Sequence, residues 1–312
     1  MSSSISSSNY RCWWLWTAGS AMAGFLAMLL LSEYLVRYLV EPNDHFWRSV
    51  QIFLKSDSAN AALGDSITAR GFHGVPGFVN LAIPGESPPL TVAKAETYFR
   101  TRQPGKVILS LNPNIFRRGE TLNIKRYEDI YIRPREPLLR VTRQRHKERL
   151  AEYWKVWLSG NGFVSNVRVP PEGGILVRED AMNHHFEALS AARRRALAVQ
   201  NVVRDVPPSD LKGGKNFEML AKLITDLKAR GAKVCLVTFP YSKEYREAAN
   251  SHPQFDSARN YFADFAKQVG VRYSDQWEKF WDPAMFLDPS HLNEVGAKAF
   301  SSSVVKDCFE TW

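Results

Sequence analysis

Five short apolar segments, at residues 61–63, 78–83, 106–111, 232–239 and, more weakly, 271–274, alternate along this chain with stretches of helical periodicity. Strands separated in this way by helices pair in parallel, through crossover connections that pack onto the faces of the sheet. Phe217, Leu220, Ile224 and Leu227 share one face of a helix that Gly231 would end, and residues 255–269 and 293–308 read as two further helices. The expected fold is α/β, a parallel sheet flanked by helices in a three-layer, flavodoxin-like arrangement. Sites in such sheets form beyond the carboxyl ends of the strands. Ser66, Gly85 and Asn112 each follow a strand segment closely, which groups them at one edge.

Residues 12–32 are 21 consecutive positions without a charge. As a helix they span about 31 Å, the thickness of a bilayer core. Trp13, Trp14 and Trp16 lie at one end, where interfacial aromatics belong. Ala21-Met22-Ala23 imitates a signal-peptidase site, but strong apolarity continues through Leu31, so an uncleaved anchor is expected. The expected organisation is a cytoplasmic tail over 1–11, a transmembrane helix with its extension over 12–40, and a catalytic domain over 45–312. The expected location is a bacterial inner membrane crossed once, with the body on the extracytoplasmic side.

The body of about 265 residues suffices for one large α/β domain with its own core. Residues 116–214 break the alternation; they hold Pro134, Pro137, Pro170, Pro171 and the pair Gly173-Gly174, and read as a long insertion with its own helices, one over 180–202. The chain carries a net charge of +9, and residues 117–149 alone hold eleven Lys/Arg against five Asp/Glu. That stretch is either a solvated surface or a patch facing anionic headgroups, an anionic glycan or a partner. No nucleic-acid motif accompanies the charge, so nucleic acid is not an expected partner. His184 and His185 lack the company of further ligands at metal spacing, and neither a metal nor a cofactor is expected. Cys235 and Cys308 are compatible with a disulfide or with two thiols.

Two strings carry chemistry. Gly64-Asp65-Ser66 places a serine where a strand meets a helix start, and Asp288-Pro289-Ser290-His291 places a histidine three residues after a carboxylate, in a turn that brings the two side chains together. A serine needs a base, and the base needs a group that sets its tautomer. The bland alternatives are a helix cap for Ser66, a surface turn for His291 and turn chemistry for Gly85 and for Asn112 before Pro113.

Together with Gly85 in Asn80-Leu81-Ala82-Ile83-Pro84-Gly85 and with Asn112, these strings resemble, in order, the four blocks of the SGNH/GDSL hydrolase superfamily. The resemblance covers about residues 61–300 apart from the insertion. It implies Ser66 as nucleophile, His291 as general base, Asp288 as its orienting carboxylate, and an oxyanion hole made of the Ser66 and Gly85 N–H groups and the Asn112 side-chain amide. The third block departs from the usual Gly-x-Asn-Asp, and Asn114 is the alternative to Asn112. A single anchor followed by such a body is similar to the membrane-anchored D-alanyl-transfer and alginate O-acetyltransferase proteins. The implied function is O-acyl transfer, most simply acetyl transfer, to a polysaccharide hydroxyl through an acyl-serine, with a glycan as acceptor and a multispan membrane-bound O-acyltransferase as partner. The alternatives are an esterase that deacylates a glycan or lipid, and a non-catalytic scaffold.

Overall fold

The computed structural model describes residues 7–116, 131, 139–142, 144–158, 167–177, 186–209, 211, 214–280 and 282–310. The chain divides into two compact units, one of Met1–Asp44 with Glu136–Ser165 and one of His45–Arg135 with Asn166–Trp312.

The second unit is built on a five-stranded sheet. Its strands are β1 (Asn60–Leu63), β2 (Phe78–Asn80), β3 (Lys106–Ser110), β6 (Lys233–Thr238) and β7 (Arg272–Asp275), every neighbouring pair parallel, in the order β2-β1-β3-β6-β7. Two short antiparallel pairs complete the strands: β4 (Val167–Arg168) with β5 (Leu176–Val177), and β8 (Phe286–Asp288) with β9 (His291–Leu292). The sequence places the five sheet strands correctly to within a residue at each end, except the second, which ends three residues before its apolar run because the chain turns away after Asn80.

Side chains alternate across a strand, and here both faces are buried. Ala61, Leu63, Val107, Leu109, Val234 and Leu236 enter one core; Ala62, Ile108, Cys235 and Val237 enter the other. The helices are α1 (Ser7–Leu35), α2 (His45–Lys55), α3 (Ser66–Gly71), α4 (Pro88–Phe99), α5 (Gln144–Leu158), α6 (Ala191–Asp205), α7 (Lys215–Ala229), α8 (Lys243–Ala249), α9 (Gln254–Val269) and α10 (Glu294–Phe309). The first core is covered by α2, α4, α7 and α9, through Phe53, Tyr98, Leu220, Ile224 and Phe262 among others. The second is covered by α3, α6, α8 and α10, through Ile67, Val202, Tyr245, Phe300 and Val304. The three layers of the expected fold are these two helix layers and the sheet between them.

Cys235 in β6 and Cys308 in α10 form a disulfide that ties a central strand to the last helix across 73 residues. Closing a loop of that size stabilises a fold by about 2–4 kcal/mol, chiefly through the unfolded chain. Reduction is expected to lower the unfolding free energy of the full chain by that amount, read as a lower urea midpoint, and a Cys235→Ala/Cys308→Ala variant should match the reduced protein and no longer respond to reductant.

His73 follows α3, is 2% exposed, and donates its backbone N–H to Ser301 Oγ at 2.8 Å. Burial lowers its imidazole from the ordinary 6.5 to about 4, against the opposing pull of the Glu172 and Glu294 carboxylates. The unfolded chain then binds a proton between these values that the folded chain refuses. Stability from this group is complete above the unfolded value and is lost as pH falls toward 4, by about 3 kcal/mol in all. Urea unfolding over pH 4 to 7 should show a flatter dependence for His73→Gln than for wild type.

In the first unit, α1 continues through a wide-turn segment, Val36–Val40, into Glu41–Asn43. The helical stretch Leu15–Asn43 is long and apolar enough to cross a membrane, an 18-residue window within it having mean hydropathy 1.6, and Trp13, Leu15, Trp16, Phe25 and Leu30 along α1 are exposed. Such a helix fits a membrane span or a signal sequence. Within the same unit, Arg140 pairs with Glu41, and Arg149 pairs with Asp44 at 3.1 Å and Glu152 at 2.6 Å. These two members of the basic stretch are therefore engaged with carboxylates and do not form an open patch; residues 117–130, 132–138 and 143 of it lie outside the described residues. The expected helix over 180–202 is a 3-10 turn, Phe186–Ala188, followed by α6, which Ser190 caps through Arg193 N–H at 3.3 Å; residues 180–185 lie outside the described residues, His184 and His185 among them.

Candidate active site

The sheet order reverses between β1 and β3, and the crevice beyond their carboxyl ends is where doubly wound sheets bind ligands. The chain leaves β1 through Gly64, whose φ is +154° and whose close neighbours, Thr68 Oγ1 and Ser110 Cβ, would lie 2.4 and 2.6 Å from an added Cβ. Only glycine fits there. Asp65 then caps α3: its carboxylate accepts Ile67 N–H at 3.1 Å. The cap is therefore Asp65, which leaves the Ser66 hydroxyl, at the first helical position, uncommitted to the helix.

That hydroxyl lies 2.9 Å from His291 Nε2. The other ring nitrogen, Nδ1, lies 2.9 Å from each oxygen of Asp288. The β8–β9 hairpin holds the carboxylate, since Asp288 Oδ1 also accepts Ser290 N–H at 2.9 Å and His291 N–H at 3.0 Å. Ser290 Oγ approaches both partners, at 3.1 Å from Asp288 and 3.3 Å from His291 Nδ1. Burial would raise the Asp288 carboxyl, but the imidazole, its hydrogen bond and the Arg70 guanidinium outweigh it and hold the group well below the usual carboxylate range. Its side chain is 36% exposed, so solvent screens part of that effect. An ionised Asp288 on Nδ1 leaves Nε2 as the acceptor facing Ser66.

Arg70, one turn after Ser66 on α3, places Nη1 3.6 Å from Asp288 Oδ2. Nothing in the two strings marks it; the only signal is the i,i+4 spacing that puts it on the face of Ser66.

The segment carrying Gly85 runs beside β1: Leu81 N–H donates to Ala62 O at 2.9 Å and Ile83 N–H to Gly64 O at 3.2 Å. Gly85 is exposed at that edge with φ +75°, and no atom lies within 4 Å of where its Cβ would be.

Asn112 lies inside the protein beside Asp65. It is 0% exposed; its amide donates to Ser110 Oγ at 2.7 Å and accepts Phe239 N–H at 2.9 Å, so it joins the ends of β3 and β6 inside the protein. Asn114, two residues on, donates from Nδ2 to Asp65 Oδ2 at 3.0 Å and accepts the Tyr241 hydroxyl at Oδ1, 3.2 Å away. It is half-buried and bonded to the residue before Ser66. Of the two candidate amides, Asn114 is the more exposed. The block falls on Ser110-Leu111-Asn112-Pro113 or, two residues later, on Asn112-Pro113-Asn114-Ile115; either register has the asparagine and lacks the glycine and the aspartate.

Burial pushes the Asp65 carboxyl up, against the hydrogen bond from Asn114, the charge of His291, the Ile67 N–H and the Asn112 side chain. Tyr241, which reads from sequence as packing, is 0% exposed, and burial raises its phenol well above the ordinary value, so it stays a donor to Asn114. Among the described residues, no three His, Cys, Asp or Glu come together as a metal-holding group.

Fold and site together define a doubly wound α/β protein with a Ser-His-Asp constellation at its switch point. No protein-family model matches the chain, and no curated protein matches its sequence. Solved structures do. A GDSL-like lipase from Bacteroides thetaiotaomicron is 9% identical, with 86% of this chain and 99% of that one covered at a TM-score of 0.44. A lipase/acylhydrolase from Enterococcus faecalis is 12% identical, with 80% and 94% covered at 0.39. A catalytic mutant of an acetylxylan esterase from Geobacillus stearothermophilus is 10% identical, with 80% and 93% covered at 0.39. At these scores the reading of the site rests on its own geometry.

Proposed function

We propose that the chain is a serine acyl-ester enzyme with Ser66 as nucleophile, His291 as base and Asp288 as orienting carboxylate. The observation that carries this reading is the imidazole held at 2.9 Å from both Ser66 and Asp288, groups 225 and three residues away in sequence. In the first step Ser66 Oγ adds to the ester carbonyl while His291 Nε2 takes its proton. The oxyanion is met by the Ser66 and Gly85 N–H groups and by the second N–H of the Asn114 amide, the first being bonded to Asp65. Collapse expels the alcohol, which takes the proton from His291, and leaves acyl-Ser66. An incoming hydroxyl then adds to the acyl carbon and gives its proton to His291, and collapse returns that proton to Ser66.

The acceptor in the second step separates transferase from esterase. The apolar helix supports a membrane anchor, and the Cys235–Cys308 disulfide supports an oxidising, extracytoplasmic location for the body. An anchored enzyme outside the cytoplasm fits acetyl transfer to a polysaccharide hydroxyl, with a multispan acyltransferase in the same membrane as donor.

Intact-mass measurement after a pulse of p-nitrophenyl acetate, with and without acetyl-accepting polysaccharide, tests both. A transferase should hold a 42 Da adduct (the mass of an acetyl group replacing hydrogen) on Ser66 until glycan is added. An esterase should turn over without glycan. Neither adduct nor turnover would reject the enzyme reading and leave the scaffold.

A further inference from the structure

Glu86 and Lys94 form an ion pair in which both side chains are 0% exposed. Glu86 directly follows Gly85, and Lys94 lies on α4. Lys94 Nζ donates to Glu86 Oε2 and also to the Leu81 carbonyl. The same Glu86 oxygen accepts Ile83 N–H at 3.2 Å, and Glu86 N–H donates back to Ile83 O at 3.2 Å. The Tyr131 ring covers the ammonium at 5.7 Å.

Burying two charges costs more than their attraction returns unless the geometry is specific, and apolar residues of the same volume usually serve a core as well or better. A core next to Val92, Ala95 and Tyr98 has no need of charge for its packing. What the pair alone supplies is direction. One ammonium holds the carbonyl at the start of the turn, one carboxylate oxygen holds the N–H in its middle, and each holds the other. Gly85 has no side chain and is exposed, so nothing of its own fixes where its N–H points.

We infer that the Glu86–Lys94 pair is a positioning device that fixes the Leu81–Glu86 turn and thereby aims Gly85 N–H into the crevice as an oxyanion donor. This rests on the acyl-ester reading for its catalytic consequence, but the fixing of the turn does not.

The test uses the full chain in detergent and two readouts: hydrogen exchange in peptides covering residues 81–87, and kcat and KM on p-nitrophenyl acetate. The variant Glu86→Leu/Lys94→Met removes both charges and leaves neither buried alone. Exchange at these amides is expected to rise at least about tenfold with the rest of the sheet unchanged. kcat is expected to fall roughly 10- to 100-fold, with KM within about twofold, as for a misplaced oxyanion donor. Glu86→Gln keeps an oxygen that can accept from both Ile83 N–H and Lys94 Nζ; the lost counter-charge should lower the urea midpoint, while the folded protein stays within about threefold of wild type in both readouts.

Wild-type exchange over 81–87 in the double variant would overturn the proposal, whether or not kcat falls. So would fast exchange with unchanged kcat in an active enzyme, or Glu86→Gln exchanging as fast as the double variant. If the double variant does not fold, Glu86→Gln decides: turn exchange above the threefold limit rejects the clamp, and protection with retained kcat supports it. If wild type turns over no ester, the acyl-ester reading fails by itself, and exchange still decides whether the pair fixes the turn.

Discussion

Ser66→Ala is expected to lower turnover of an activated ester by roughly 10⁴-fold or more while leaving the unfolding midpoint nearly unchanged. The loss is large because the nucleophile, the base and the carboxylate act as one unit, so removing any member removes most of what the unit does. The stability effect is small because Asp65, and not Ser66, caps α3. Circular dichroism melts beside initial rates would check both halves. A folded Ser66→Ala protein with wild-type rates would sink the assignment of the nucleophile, and a protein that fails to fold would show that the serine is structural after all.

The two asparagines should separate in the same assays. Asn114→Ala takes one donor from the developing oxyanion and is expected to lower kcat by about 10²- to 10³-fold, with little change in KM. Asn112→Ala strips the acceptor from buried Phe239 N–H and the donor from Ser110, and is expected to cost about 1–3 kcal/mol of stability while kcat of the surviving folded protein stays close to wild type. The reverse outcome, a stable and inactive Asn112→Ala, would restore the unshifted register. Tyr241→Phe should resemble a mild Asn114 variant, since it frees Oδ1 and lets the amide turn.

The strands β1, β3 and β6 were readable because each is buried on both faces and so appears as an apolar run, whereas β7, Arg272–Asp275, is only partly buried and gave the weakest signal of the five. Val107, Ile108 and Leu109 need no partner to announce a strand, although they feed two different cores. The helices α7, α9 and α10 were readable because their apolar faces repeat at 3.6 residues. The reactive groups were readable for a different reason. Asp288 and His291 are three residues apart in one hairpin, and Ser66 follows its strand directly, so each string carries its own geometry.

The surroundings of the two asparagines were not readable, because they come from elsewhere in the chain: Phe239 N–H from β6 bonds Asn112, and Asp65 from the turn after β1 bonds Asn114. The disulfide was left open because 73 residues separate its halves and only the packing of α10 on β6 brings them together. The same holds for Arg70 beside Asp288 and for Arg140 beside Glu41, 99 positions earlier. Local sequence alone determined which segments are strands and helices, where the apolar N-terminal helix lies, and which serine and histidine have chemical potential, because those properties depend on neighbours within a few positions. The tertiary structure decided what each asparagine is bonded to, which charges are paired and which cysteines are joined, because each depends on a distance between elements that the chain brings together only when the sheet has formed.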